Sequence, residues 1–432
     1  LTISTKKSGR PIKPLHAVNG GPLTFNLTID ATERFREAGI PYARLHDIEY
    51  PMGSGEFVDI HCVFPDFDAD PESPESYNFT CTDLYIKAII ESGCQPFYRL
   101  GESIDHGPLK KYINPPEDFT KWARICEGII RHYNKGWADG YQYGIRYWEI
   151  WNEPENPPMW NGTREEYIKL YEIAANHIKS CFPEIKVGGY SSSGFYAVTR
   201  SNVSDSLKSR ISYFDDFLSY ISNPETKAPL DFFSWHIYNT DPDEVVAHAR
   251  YIEERLKDNG FGNAESILNE WNYNGPDMFR SMRRMEGAFH VAGVLCELQS
   301  APVDMAMYYD AQPRQRYGGL FKWYSPTPAK PFYALQAFGS LYKLGNESVS
   351  SYSGNRLRYC AATDEDDIAV MLNGPESGDS EVTVNIKGMS GNKKLTAYIL
   401  DDQRNLEPQY EYKEHTFKIK LKEKSMVLLK ST

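Results

Sequence analysis

Short apolar runs alternate with stretches of helical periodicity along most of this chain. Between about residues 14 and 345, the alternation is typical of parallel strands joined by crossover helices. Eight apolar runs are predicted to be strands, at residues 14–18, 42–46, 95–100, 145–151, 185–189, 231–236, 264–270 and 303–309. Eight repeats of this length favour a closed (β/α)8 barrel, the TIM barrel, over an open doubly wound sheet. No G-x-G-x-x-G loop opens a predicted helix, which disfavours a dinucleotide-binding fold.

Two of the intervening segments carry a clear apolar face at helical spacing, which would pack against the barrel. Their members are Phe119, Trp122, Cys126, Ile130 and Tyr133 in one segment, and Tyr167, Leu170, Tyr171, Ala174 and Ile178 in the other. Asp30 and Thr163 stand where N-caps belong, and Gly39, Gly93 and Gly260 stand where helices should end.

After about residue 345 the helical period disappears from the sequence. Residues 381–386, 395–400 and 416–429 show the alternation of half-exposed strands. We therefore expect a catalytic barrel over residues 13–344 and a β-sandwich accessory domain formed by residues 345–432. Residues 1–12 are predicted to add a strand to that sandwich.

Composition excludes several classes of function. The formal net charge of −12 disfavours a nucleic-acid partner, which usually meets a clustered basic face. No apolar run approaches the length needed to span a membrane. The 7 cysteines form no C-x-x-C pair, which argues against a disulfide framework or a zinc ribbon, so neither a metal nor a cofactor is expected. Aromatic residues make up 14% of the chain, a proportion that suits a sugar-binding cleft as well as ordinary barrel packing.

Two glutamates follow predicted strands at the barrel face that carries chemistry in this fold. Glu153 lies in Trp-Glu-Ile-Trp-Asn-Glu-Pro (148–154), just past the fourth strand, and Glu270 lies in Ser-Ile-Leu-Asn-Glu-Trp-Asn (266–272), at the end of the seventh. Paired carboxylates supply the acid and the nucleophile or base that cleave a glycosidic bond. The sequence leaves their separation open, and with it the choice between retention and inversion. The acid needs a raised pKa, whereas a nucleophile must stay ionised.

Other side chains at the same rim are candidates for sugar contact. We predict a substrate-binding set of His46, Asn152, His236, Tyr238, Trp271, Tyr309 and Trp323. Asn152 either donates to a sugar hydroxyl or closes an Asx-turn, and each histidine is either catalytic or structural. Tyr238 can donate to the nucleophile and hold its pKa down.

These motifs resemble glycoside hydrolase family 39, above all in its β-xylosidase branch. The resemblance is carried by Trp-Asn-Glu-Pro at 151–154 and the following forty residues, and by Arg-Leu-His at 44–46, Ser-Trp-His-Ile-Tyr at 234–238 and Leu-Asn-Glu-Trp-Asn at 268–272. It implies a retaining enzyme with Glu153 as acid/base and Glu270 as nucleophile. Members remove one sugar from a non-reducing end, and their substrates include β-xylosides, α-L-iduronides and arabinose-containing glycans.

Two features depart from that family pattern. Arg99 stands where the xylosidases carry a glutamate after strand three, and the eighth strand leads to Arg314 and Arg316 in place of an acidic cluster. Two arginines beside a pocket can bind a carboxylate or sulfate, or they are solvated loop charges. The leading prediction is an exo-acting retaining glycosidase, similar to a β-xylosidase, that releases a neutral terminal pentose or hexose from plant- or host-type glycans by double displacement. A uronide-specific, arabinosidase or β-galactosidase activity and a non-catalytic carbohydrate-binding barrel are the alternatives.

Cellular location and assembly stay open at this level. Five Asn-x-Ser/Thr sequons occur in the chain, at Asn26, Asn78, Asn161, Asn202 and Asn346, a number that arises by chance in a chain of this length. A bacterial periplasmic or extracytoplasmic location is slightly favoured over a cytoplasmic one. The sequence predicts no oligomeric state.

Overall fold

The computed structural model describes residues 1–24, 27–48, 56–104, 111–313 and 317–432. The strands are β1 (Thr2–Pro11), β2 (Ala17–Asn19), β3 (Leu23–Thr24), β4 (Ile29–Asp30), β5 (Tyr42–Leu45), β6 (Gln95–Leu100), β7 (Tyr147–Ile150), β8 (Lys186–Ser192), β9 (Phe232–Asn239), β10 (Glu265–Tyr273), β11 (Met305–Tyr308), β12 (Asn346–Ser351), β13 (Arg358–Asp364), β14 (Asp367–Asn373), β15 (Ser380–Lys387), β16 (Leu395–Leu400), β17 (Asn405–Tyr412), β18 (Thr416–Leu421) and β19 (Met426–Ser431). The α-helices are α1 (Thr32–Ala38), α2 (Ile60–Val63), α3 (Thr80–Glu91), α4 (Phe119–Lys135), α5 (Arg164–Cys181), α6 (Asp205–Ser222), α7 (Pro242–Asp258), α8 (Met278–Ser281), α9 (Met285–Leu298) and α10 (Lys330–Leu344), and two short 3-10 turns lie at Pro74–Ser76 and Tyr196–Val198.

Eight parallel strands close into a barrel in the order β10-β11-β2-β5-β6-β7-β8-β9. Each of the eight predicted strands supplies one of them, so the predicted (β/α)8 barrel is confirmed. The main difference lies at the catalytic end, where β8, β9 and β10 each run three residues past their predicted ends, to Ser192, Asn239 and Tyr273. The short β3–β4 hairpin was not predicted from the sequence.

Helix ends follow the expected capping chemistry in most places. Thr163 caps α5 in a reciprocal box with Glu166, as the sequence predicts. Gly39 ends α1 in the left-handed conformation, with φ 63°. The prediction for Asp30 is wrong by one position, because the N-cap of α1 is Ala31. Asp30 instead accepts from the backbone N–H of Thr32.

The nine remaining long strands form one mostly antiparallel sheet in the order β17-β16-β19-β14-β13-β12-β1-β15-β18. Apolar side chains from both ends of this order, such as Val384 on β15 and Ala397 on β16, share one core. Tyr412 and Phe417, on the first and last strands of the order, stack with ring centroids 3.8 Å apart. The sheet therefore folds over on itself as the predicted β-sandwich. Strand β1 lies between β12 and β15.

The sandwich packs on the barrel through α9 and α10. Its Met371 and Leu428 belong to the same buried cluster as Phe338 of α10. Arg358 of β13 forms ion pairs with Glu297 of α9 and Asp243 of α7. Within the described part of the chain, no helix is long and apolar enough to span a membrane.

Candidate active site

A cavity of about 280 Å³ opens at the carboxyl ends of the barrel strands, where catalysis occurs in this fold. Its described lining is His46, Asp47, Ile104, Asn152, Glu153, Tyr196, Tyr238, Glu270, Asn274, Met278, Tyr309 and Tyr317. Both predicted catalytic glutamates and four of the predicted substrate-binding residues thus face one space. His236 lies against both glutamates but is itself fully buried.

The two glutamates approach each other closely across the cavity. One carboxylate oxygen of Glu153 and one of Glu270 lie within 4.8 Å of each other and of a ring nitrogen of His236. The Nδ1 atom of His236 lies 2.7 Å from Glu153 Oε1 and 3.5 Å from Glu270 Oε2. The imidazole therefore bridges the pair from below.

A β-bulge explains how Glu270 comes to face the barrel interior. Pairing of β10 with β9 matches Leu268 with Trp235 and Glu270 with His236, so β10 carries one extra residue between those pairs. Such bulges re-aim side chains next to active sites. Here the bulge lets the neighbouring Asn269 and Glu270 both hydrogen-bond inside the barrel.

A buried guanidinium holds the floor of the site. Arg44, from β5, has no solvent exposure and forms two ion pairs, with Glu149 and Glu270. Each of its five N–H groups is used in a hydrogen bond. The acceptors are Glu149 Oε2 at 2.8 Å, Asn19 Oδ1 at 3.1 Å, Glu270 Oε1 at 2.7 Å, Asn152 Oδ1 at 2.6 Å and Ser191 Oγ at 3.0 Å.

The two glutamates differ in the donors that reach them. Glu270 accepts from Arg44 through Oε1 and from the Tyr238 hydroxyl through Oε2, at 2.8 Å. Glu153 has no guanidinium hydrogen bond in the described residues, and Asn156 Nδ2 donates to its Oε2 at 2.9 Å. Burial raises the pKa of both carboxyls, while His236 and Arg44 oppose the rise at Glu270.

A second set of polar side chains, His46, Asp47 and Tyr309, also lines the cavity. The Tyr309 hydroxyl donates to Asp47 Oδ2 at 2.5 Å, and His46 Nε2 lies 3.4 Å from Asp47 Oδ1 and 3.6 Å from Glu270 Oε1. Arg99 is buried behind these side chains, where it pairs with Asp59 at 2.5 Å. It therefore contacts the site through His46 and does not line the cavity. Arg314 and Arg316, the other two cations singled out in the sequence, lie outside the described residues.

Two predicted sugar-binding tryptophans do not line the cavity. Trp271 follows Glu270 on β10 and turns away from the barrel interior, where its ring packs edge-on against Tyr308. Alternation along the strand is the physical reason. Trp323 is half-exposed on the surface, and its ring lies over Arg283 at 5.4 Å.

Several polar residues of the site were not predicted as functional. These are Arg44, Asp47, Glu149, Ser191 and Asn269. Arg44 and Glu149 could have been found, because a charged residue inside an otherwise apolar barrel strand needs a buried partner. Ser191 carries no such signal.

Three clusters in the described residues bring possible metal ligands within 4.8 Å of one another. They are Glu153, His236 and Glu270 in the site, Asp59, His61 and Glu102 beside it, and Glu127, His177 and Cys181 on the surface of α4 and α5. At the first two clusters, Arg44 pairs with Glu270 and Arg99 pairs with Asp59.

The family is decided by a comparison with models of known families. The model described as "Glycosyl hydrolases family 39" matches residues 2–271, more than half of the chain. This chain belongs to glycosyl hydrolase family 39. The resemblance inferred from the sequence motifs is therefore confirmed.

Relatives of this family 39 chain include a β-xylosidase of Geobacillus stearothermophilus, 28% identical over 219 residues. That match covers 48% of this chain and only 39% of the relative. A glucosidase from Croceicoccus marinus has a similar structure, with a TM-score of 0.83, 21% identity, and coverage of 100% of this chain and 98% of the other. A monomeric β-xylosidase from Caulobacter crescentus CB15 has a TM-score of 0.73 and 16% identity, with coverage of 100% and 98%.

Proposed function

We propose that this family 39 protein is a retaining glycoside hydrolase that releases a terminal neutral sugar, with Glu153 as general acid/base and Glu270 as nucleophile. The observation that carries the proposal is the approach of the two carboxylates to within 4.8 Å inside one cavity. Retaining enzymes hold their carboxyl groups about 5–5.5 Å apart, whereas inverting enzymes leave about 6.5–9.5 Å for a water molecule. The spacing therefore favours a covalent glycosyl-enzyme.

The donor pattern supports this division of roles. Glu270 is fixed by Arg44 and by the Tyr238 hydroxyl, both of which favour its ionised form. Burial raises the pKa of both glutamates. Glu153 is the better proton carrier of the pair because its hydrogen-bonding side chains, Asn156 and His236, are neutral, whereas Glu270 accepts from a guanidinium. A proton shared by two close carboxyls then resides on Glu153.

The reaction follows from these positions. Glu270 attacks the anomeric carbon while the bond from that carbon to the leaving oxygen breaks, and Glu153 gives its proton to that oxygen. In the second step Glu153 removes a proton from water, whose oxygen displaces Glu270 from the anomeric carbon. One water is consumed, and two displacements retain the configuration.

The cavity supports a neutral sugar ring as the glycon. Its volume of about 280 Å³ is at the small end for ligand pockets, which suits a single sugar unit and exo action. Among the described lining residues, the ionisable groups include Asp47, Glu153 and Glu270, and none is an arginine or lysine. Carboxylates in the cavity accept hydrogen bonds from sugar hydroxyls, and their negative charge repels the carboxylate of a uronate. The named relative makes a β-xyloside the first substrate to try.

A panel of aryl glycosides tests the proposal. The β-xyloside, β-glucoside, β-galactoside, α-L-arabinoside and α-L-iduronide are each assayed with the wild type, with Glu270→Gln and with Glu153→Gln. We expect turnover of a neutral glycoside that both substitutions reduce by at least about 10³-fold. Turnover of the iduronide alone would overturn the neutral-sugar proposal. Glycan binding without turnover of any substrate would favour a carbohydrate-binding barrel.

Azide separates the two roles. With Glu270→Ala, azide should attack the free substrate directly and give a glycosyl azide of inverted configuration. With Glu153→Ala, it should intercept the glycosyl-enzyme and give the retained configuration. The anomeric coupling constants of the products distinguish the two results, and the reverse pattern would exchange the roles of the two glutamates.

A further inference from the structure

The Ser191 hydroxyl joins the nucleophile side of the site to the acid/base side. Ser191 is fully buried near the end of β8. Its Oγ lies 3.0 Å from Arg44 Nη2, 3.0 Å from Asn269 Nδ2 and 2.6 Å from His236 Nε2. Arg44 binds Glu270, and His236 contacts Glu153, so the hydroxyl links the two glutamates indirectly.

The groups around Ser191 Oγ leave only one direction for its hydroxyl hydrogen. Arg44 can only donate. Asn269 also donates, because its amide nitrogen lies 2.6 Å from the carboxylate of Glu149. Ser191 Oγ therefore accepts two hydrogen bonds, and its own hydrogen points to His236 Nε2.

A neutral imidazole that accepts at Nε2 carries its hydrogen at Nδ1. His236 Nδ1 then donates to Glu153 Oε1 at 2.7 Å. Burial lowers the pKa of His236 to about 4, which keeps the ring neutral during turnover near neutral pH. The charged groups that face this ring are Glu153, Glu270 on β10, Arg44 on β5, Glu149 on β7 and Arg210 on α6.

The other active-site histidine takes the opposite tautomer. Arg99 Nε donates to His46 Nδ1 at 3.3 Å, so the hydrogen of a neutral His46 ring is at Nε2. That atom lies 3.6 Å from Glu270 Oε1 and 3.4 Å from Asp47 Oδ1. Arg99 is held in turn by Asp59 and Ser103.

We propose that Ser191 and Arg99 are positioning residues that hold His236 and His46 as opposite neutral tautomers, with the ring hydrogen of His236 directed to Glu153 and that of His46 on the side of Asp47 and Glu270. Since Glu153 Oε1 accepts from His236, the acidic proton of Glu153 is carried on Oε2. The leaving oxygen therefore takes its proton from Oε2, the carboxylate oxygen that lies beside the side-chain amide of Asn156.

Neutron diffraction tests the hydrogen positions without any substitution. In D₂O-exchanged crystals near pH 7, we expect deuterium on Ser191 Oγ directed to His236 Nε2, on His236 Nδ1 and on His46 Nε2. Deuterium on His236 Nε2 or on His46 Nδ1 would overturn the proposal. This result does not depend on the proposed glycosidase activity, so the two can fail separately.

A kinetic test rests on the proposed function. Ser191→Ala frees His236 to reverse its tautomer and accept from protonated Glu153, which raises the pKa of the acid. We expect the alkaline limb of kcat/KM to move up by about one pH unit. The matched control is Ser234→Ala, which removes a buried hydroxyl that accepts from the Ser191 backbone N–H but is not bonded to either histidine ring. An unmoved limb in Ser191→Ala, or an equal shift in Ser234→Ala, would refute the positioning role.

Discussion

Replacing Arg44 by glutamine should destabilise the barrel as well as the site. The guanidinium is fully buried and pairs with two carboxylates that are themselves nearly or fully buried, Glu149 and Glu270. Glutamine removes the positive charge but leaves both carboxylates in place. Each must then lose its charge by taking up a proton or remain uncompensated in a medium of low polarity.

The expected loss can be worked out from the burial of the pair. Removing one partner of a buried ion pair costs about 3–5 kcal/mol, and two dependent carboxylates place Arg44 at the upper end of that range. A barrel of about 330 residues unfolds with an entropy of about 0.7 kcal/mol/K near 60 °C. The melting temperature should therefore fall by about 7 °C in Arg44→Gln.

The pH dependence of this loss has a definite sign. Burial already raises the pKa of Glu270 in the wild type, and loss of the Arg44 charge should raise it further above the unfolded value of about 4.3. A raised carboxyl pKa costs little at pH 4 and progressively more as the pH increases through the folded value. The deficit in melting temperature should therefore be larger at pH 7 than at pH 5.

Thermal scans by circular dichroism at one fixed scan rate measure the effect. The matched control is Arg34→Gln, which removes an exposed arginine paired with Glu37 and should change the unfolding free energy by less than about 1 kcal/mol. Adding Glu149→Gln to Arg44→Gln should restore part of the loss. A melting temperature of Arg44→Gln within about 1 °C of the wild type, or strict additivity in the double variant, would refute the reasoning.

Three further predictions concern single features of the fold and site. Tyr238→Phe removes a donor to ionised Glu270, so the pKa of Glu270 rises and the acid limb of kcat/KM moves up by about 1–2 pH units; an unmoved limb would contradict the contact. Thr163→Ala breaks the capping box of α5 and should lower the free energy of unfolding, measured by chemical denaturation, by about 1 kcal/mol, whereas the control Thr163→Ser should leave it nearly unchanged. Burial lowers the pKa of four histidines to about 4, namely His16, His236, His248 and His290. Because the unfolded chain binds more protons than these buried rings between pH 6.5 and about 4, thermal stability should fall as the pH falls through that window, and a flat profile there would contradict the prediction.

The barrel was predictable because its strands are buried on both faces. Parallel strands in that position read as short apolar runs, and helices between them show one apolar stripe. All eight runs became barrel strands. The strand ends were less predictable, since β8, β9 and β10 continue as mixed polar and aromatic segments whose partners are distant in sequence.

The sequence predicted that Glu153 and Glu270, which follow strands four and seven, would face one cavity, but it predicted the side chains around them only in part. Tyr238 reaches Glu270 as expected. Trp271 was predicted to bind substrate, but it follows Glu270 on β10, and strand alternation directs its ring away from the cavity and onto Tyr308. Ser191 enters the interior through a bulge in β8, where Tyr190 and Ser191 oppose the single residue Ser234 of β9. No local sequence pattern encodes that bulge, because pairing between strands sets it.

In the proposed mechanism, the charges of the barrel floor account for the proton on Glu153. Arg44 supplies one positive charge to three buried carboxyls, those of Glu149, Glu153 and Glu270. Full ionisation would leave two uncompensated negative charges away from water, which is costly. Glu149 and Glu270 both accept hydrogen bonds from the guanidinium, whereas the side chains that contact Glu153 in the described residues are Asn156 and His236. Under the proposed mechanism, this Arg44 geometry therefore favours Glu153 as the group that carries the proton.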